Sequence, residues 1–158
     1  MTERVFAAID NGVSGTIGAV GEGDGWDLFE KVPVYTAAEY MTSKHRNMTH
    51  VDYDELKKSL VSLRKDRELV LVTERPFVTP LRFKATMSAV RAHEILLAVC
   101  RSLGIHLHAT WDSRVWQREM LGDFEKGESK RLSAEVGAAK FPWRADAIRK
   151  HGDADSLL

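Results

Sequence analysis

The order of residues predicts an α/β fold around a mixed five-stranded sheet. Three observations carry this. Three apolar runs at the N-terminus are joined by glycine-bearing turns, the pattern of an antiparallel meander. Two later apolar runs, "ELVLVTE" (68–74) and "IHLHAT" (105–110), each follow a segment of helical periodicity, which suits strands reached through helical crossovers. No internal repeat or low-complexity stretch interrupts them.

Taken in order, "RVFAAID" (4–10), "GTIGAVG" (15–21) and "WDLFEKVPV" (26–34) read as the meander, turning at "DNGVS" and "GEGDG". "TAAEYMTSKHRNMTH" (36–50) is polar, basic and poorly periodic, and reads as a mobile connection. "DYDELKKSLVSLRKDR" (52–67) sets Leu56, Leu60 and Leu63 on one helical stripe behind Asp52, a favoured N-cap type. The buried strand 68–74 ends on Glu74, and the proline-bracketed loop "RPFVTPLRFK" follows. A long helix spans 85–104 and closes on Gly104. After the strand 105–110, "DSRVWQREML" is a short helix capped by Asp112, and "SKRLSAEVGAAKF" (129–141) a further helix stopped by Pro142. "HGDADSLL" reads as the opening of a last helix, so that residues 1–158 form one domain with a truncated final helix.

Composition bounds the function. The 158 residues are 44% hydrophobic and 29% charged, ordinary for a globular chain with a real core. No run of about 18 apolar residues exists, so no membrane span is expected. The start enters a strand pattern with no leader signal, and with a single Cys100 a reducing, cytoplasmic setting is expected. One cysteine excludes a disulfide framework and a cysteine-rich zinc site. The net charge of zero argues against a uniformly basic nucleic-acid binder but leaves local patches open. No P-loop, dinucleotide fingerprint or HExxH motif is present, so no small-molecule cofactor is expected.

Two acids stand out. Asp10 and Glu74 each close a strongly apolar strand, and in open α/β sheets ligands gather at strand ends. On neighbouring parallel strands the two carboxylates would repel unless a cation sat between them, and hard oxygen donors suit Mg²⁺ or Mn²⁺. The plainer reading makes Asp10 a turn former and Glu74 a partner of Arg75. His151, Asp153 and Asp155 crowd the tail, where acids also serve as helix caps; which of them would act as a ligand is open from sequence. Between Arg75 and Arg91 there is no acid, but Arg75, Arg82, Lys84 and Arg91 alternate with Phe77 and Phe83. Basic groups for phosphates and aromatic rings for bases make a nucleic-acid-binding composition. Lys126, Lys130 and Arg131 form a second basic cluster that by itself reads as a solvated face. His106 and His108 share a strand face and read as structural.

These pieces resemble one family. "AAIDNGVSGTIGAV" is similar to the first motif of the RuvC-type Holliday junction resolvases, and "LVTERPFVTPLRFKATMSAVR" to their second, in the form of the phage and plastid branch. "HATWDSRVWQREMLG" resembles the segment before their basic helix, and "HGDADSLL" their final acidic motif. The resemblance implies an RNase H-like fold, a homodimer, and a two-metal endonuclease that cuts four-way DNA junctions. It carries Asp10, Glu74 and Asp155 over as metal ligands. For the remaining place His151 fits by position and Asp153 by chemistry. It further implies that Lys130 stabilises phosphate charge, that Arg131 joins the DNA contact, and that Phe77 or Phe83 wedges into the junction. A non-catalytic binder of branched nucleic acid and a nuclease acting on RNA–DNA hybrids are the alternatives.

Overall fold

The computed structural model describes residues 3–10, 12–23, 27–38 and 47–158. Its main sheet has five strands: β1 (Arg4–Ile9), β2 (Thr16–Gly21), β3 (Asp27–Lys31), β6 (Glu68–Glu74) and β7 (Leu107–Trp111). In space they run β3-β2-β1-β6-β7, the first three antiparallel and the last two parallel to β1. This is the mixed five-stranded sheet expected from sequence, with the antiparallel meander on one side of β1 and the crossover strands on the other.

Alternation along the strands explains which face is buried. Val5, Ala7 and Ile9 of β1, Ile17 and Ala19 of β2 and Leu71 of β6 turn to one side. There they meet Leu56, Leu60 and Leu63 of α1 (Tyr53–Arg64) and Leu96, Val99 and Cys100 of α2 (Phe83–Leu103). Cys100 is thus the core hydrophobe expected from sequence, its thiol pushed up to about 11 by burial. Asp52 caps α1 by accepting from the amides of Asp54 and Glu55, and Gly104 ends α2 in the left-handed region at φ 64°.

The opposite face carries α3 (Ser113–Leu121), α4 (Ser129–Lys140) and α5 (Ala145–His151). Asp112 caps α3 by accepting from Arg114 N. A smaller apolar cluster forms here from Ile148, Ala154 and Leu157 against Val20, Phe29 and Phe141. Trp116 is buried, whereas Trp111 and Trp143 are exposed. His106, just before the edge strand β7, and His108, on it, both expected as structural, are exposed. Among the described residues, no helix is long and apolar enough to cross a membrane.

Two sequence expectations need correction. The connection 36–50 is not featureless at its ends: β4 (Val34–Ala38) and β5 (Asn47–Val51) pair antiparallel as a separate ribbon, while 39–46 lie outside the described residues. Val34, assigned from sequence to the third strand, therefore starts β4. "HGDADSLL" does not open a helix. His151 ends α5, Gly152 takes φ 105°, and the chain turns back through Asp153–Leu157. A positive φ after a helix is the signature of termination, so the tail acids sit after a C-cap.

Candidate active site at the strand ends

The parallel register of β1 and β6 sets Ile9 opposite Thr73, so the next residues, Asp10 just past β1 and Glu74 at the last position of β6, stand side by side. Thr73 Oγ1 donates to the Ile9 carbonyl at 3.0 Å and ties the two strand ends together. Asp10 N donates to the Thr16 carbonyl at 3.0 Å, closing the turn into β2. The backbone amide makes the turn and the carboxylate is left for the site. Glu74 is not the partner of Arg75. Its carboxylate instead faces Ser113 and Trp116 at the start of α3, which favour its charged form.

The tail brings the third acid. Ser133 of α4, fully buried, donates to Asp155 Oδ1 at 2.5 Å and accepts from Ala154 N at 3.0 Å. Thr16 and Ser156 hydroxyls bond each other at 2.7 Å. Two glycines allow the close approach: a Cβ on Gly137 would run into that of Ala154, and a Cβ on Gly18 into the Ser156 carbonyl. The tail is therefore clamped between α4 and β2, with Asp155 facing the strand ends.

The carboxylates sense one another. Glu74 is pushed up to about 7, first by burial and then by the charge of Asp10, against the opposing effect of Ser113. Asp155 is pushed up to about 6 by burial, opposed by the Ser133 hydrogen bond and reinforced by Asp153 and Asp10. Asp10 is raised by burial and by Asp153, and lowered by Lys130.

Asp153, 2% exposed, is placed differently. Its Oδ2 accepts from Lys130 Nζ at 3.0 Å, while Oδ1 has no hydrogen-bond partner and lies 3.5 Å from His151 Nε2. Lys130 is raised chiefly by the hydrogen bond to Asp153. The His151 ring stands edge-on to Phe29, with centroids 5.9 Å apart. Arg131, by contrast, is held on the exposed face of α4 by Glu128 and Glu135.

Among the described residues, no three His, Cys, Asp or Glu side chains converge as a ready cation cage. The donor chemistry nevertheless fits a hard divalent ion: Asp10, Glu74 and Asp155 are oxygen donors set at one edge, and Asp153 Oδ1 is buried with a lone pair unmatched.

Asp10 and Glu74 stand between two clefts. One, about 430 Å³, runs over the open face of the sheet past Val72 and Trp116 to Asp155 and Leu158. The other, about 220 Å³, leads along Arg75, Phe77 and Arg82 to Ala85 and Ala89 of α2. The basic loop beside it is not tucked into the core. Phe77 is 62% and Leu81 95% exposed, with Val78 and Phe83 similar. Lys84 is exposed as well, but Arg91 turns back to donate to Met48 Sδ of β5 at 2.8 Å.

Sequence reasoning brought out Asp10, Glu74 and Asp155 and missed Ser133, Gly137 and Gly18. One signal was available: Ser133 and Gly137 are small residues one helical turn apart, so they share the α4 face on which a chain can approach closely.

No family model matches the chain, and no curated protein matches it. Among solved structures, RuvC of T. thermophilus in complex with a Holliday junction substrate is similar over 84% of this chain and 78% of that one, at a TM-score of 0.48 and 12% identity.

Proposed function

We propose that this chain is a divalent-metal-dependent endonuclease that resolves four-way DNA junctions as a homodimer, of the phage and plastid kind its motifs resemble. The observation that carries the reading is the meeting of Asp10, Glu74 and Asp155 at the end of parallel strands, each raised by burial and by the charge of a neighbouring carboxylate. Carboxylates kept in such company at neutral pH are matched to cations. Asp10, Glu74 and Asp155 are the residues to hold two Mg²⁺ or Mn²⁺ ions, with Asp153 beside them. Bound there, such ions supply an acidified water and a stabilised leaving oxygen.

The rest falls to the chain's own groups. Lys130, kept cationic by Asp153, offsets phosphate charge at the site mouth. Arg75 and Arg82 line the cleft that leads from the acids, and hold the phosphate path. The exposed rings of Phe77 and Phe83 give unstacked bases a surface. His151, whose Nε2 lies 3.5 Å from Asp153 Oδ1, is the group placed to pass a proton at the site. Two copies related by a two-fold axis would cut opposed strands.

The test is cleavage of an end-labelled four-way junction beside a linear duplex and an RNA–DNA hybrid, with Mg²⁺, Mn²⁺ or EDTA. Paired, symmetric, metal-dependent nicks in the junction alone are expected. Cutting of the hybrid alone moves the substrate to the second class, and tight binding without cutting makes the chain a binder.

Two further results are expected. Arg82→Ala combined with Lys84→Ala weakens junction binding and flattens its salt dependence by up to about two in log–log slope, roughly 0.9 for each phosphate no longer neutralised. Fluorescence anisotropy at several salt concentrations reads this; an unchanged slope removes the loop from the interface. The second concerns pH in metal-free buffer. Glu74 and Asp155 bind protons more tightly folded than unfolded, so they favour the fold while protonated. That contribution is complete below their ordinary range and is lost as pH rises through about 6 and 7. The melting temperature should therefore fall between about pH 5.5 and 8, and Mg²⁺ should restore more of it at the upper end of that window than at the lower. A melting temperature rising with pH across the window contradicts the coupling.

A further inference from the structure

We infer that the β4–β5 ribbon is a second nucleic-acid contact, in which the Tyr35–His50 stack offers a ring face to an unpaired base. The inference rests on the nucleic-acid reading above and goes beyond it. Tyr35 and His50 are direct cross-strand partners, with ring centroids 5.4 Å apart and planes 23° from parallel. Such a pair steadies a two-stranded ribbon. Yet Tyr35 remains 48% exposed after stacking, with exposed Val34 next to it. A stack that is fixed from behind and open in front is pre-ordered for a third ring, and bases stack on aromatic side chains whatever their sequence.

The placement supports the same conclusion. Lys31, the last residue of β3, registers with Thr16, and Val32 N donates to the Gly15 carbonyl at 3.0 Å. Gly15 and Thr16 belong to the turn closed by Asp10 N. The ribbon thus leaves the sheet at the edge that carries the acids. Its base is pinned by Asp52 N on the Pro33 carbonyl at 2.9 Å, and its second strand by Arg91 on Met48, from a helix that begins at the basic loop. The paired residues of the ribbon include no Asp, Glu, Lys or Arg. A contact made by the Tyr35 ring itself is therefore to a base and not to phosphate charge, which separates it from the basic loop in experiment.

The test compares the full chain with Tyr35→Leu and Tyr35→Phe, measuring affinity for a four-way junction and for an unstructured single strand over a salt series. Tyr35→Leu should weaken binding about tenfold with an unchanged salt slope, and Tyr35→Phe should bind like the parent. Thermal melting checks that the ribbon's substitutions leave the fold intact. Unchanged affinity in Tyr35→Leu overturns the inference, as does equal weakening in Tyr35→Phe, which would assign the effect to the hydroxyl. If the parent ignores the junction but binds the single strand through Tyr35, the junction reading fails and the stacking platform stands. If the parent binds neither, both fail.

Discussion

Asp10→Asn should leave affinity for a four-way junction unchanged and slow its cleavage by at least about a thousandfold, several kcal/mol of lost transition-state stabilisation. The amide matches the carboxylate in shape, so the turn made by Asp10 N to the Thr16 carbonyl survives. What disappears is the negative charge on the strand next to Glu74. The same substitution has an opposite effect on the fold. Asp10 raises both Glu74 and Asp155 by its charge, so neutralising it relieves repulsion among buried carboxylates. Asp10→Asn should therefore melt higher than the parent in metal-free buffer at mildly alkaline pH, and lose the parent's response to Mg²⁺. Junction cleavage timed under single turnover, together with melting with and without Mg²⁺, reads both. Cleavage at the parent's rate would remove Asp10 from the centre.

Gly18→Ala should uncouple the third acid while leaving the first two in place. Gly18 lies in the middle of β2, where the Ser156 carbonyl rests directly on its Cα, and an added methyl has backbone in front of it with nowhere to shift. Either the strand or the tail must move. The strand is held on both sides by β1 and β3, whereas the tail beyond Gly152 is held by Ser133, by Thr16 and by a small apolar cluster, so the tail gives way. The overpacking cost is about 1–3 kcal/mol, or roughly 2–12 °C in melting temperature for a chain of this size. Cleavage should fall with Asp155 displaced, and the amides of residues 153–158 should exchange with solvent faster while those of β1 and β6 keep their protection. Full activity in Gly18→Ala, with the tail still protected, would show that the clamp does not set the acid.

What could be read from sequence follows from how strongly each signal was local. Asp10 and Glu74 ended apolar strands, and the parallel register alone brought them together. Asp52, Gly104 and Asp112 announced helix ends through capping chemistry confined to a few neighbouring residues. The ribbon was not legible because "VYTAA" and "NMTHV" lack alternation, and its stability comes from each strand's partner and from α2. Helix α5 buries only Ile148, too little for a period to show. The tail misled for a different reason. Asp after Gly is a cap signal in either direction, and only the left-handed Gly152 decides that it closes one helix and does not open another. The spacing of Ser133 and Gly137 hints at a close approach, but not at what approaches, because the partners of Ser133, Ala154 and Asp155, lie some twenty residues away in sequence.

If the acids at the strand ends and the clamped tail form one divalent-ion centre, a single titration should show it. The metal-free chain is titrated with Mn²⁺ in a calorimeter at about pH 6.5, where Glu74 and Asp155 still hold protons in part, beside Asp10→Asn and Gly18→Ala. The parent should bind saturably and release protons, as Glu74 and Asp155 lose those that burial and repulsion let them keep. Both variants should bind more weakly. Equal binding in all three proteins, or no saturable binding by the parent, would mean that these residues do not make a metal centre.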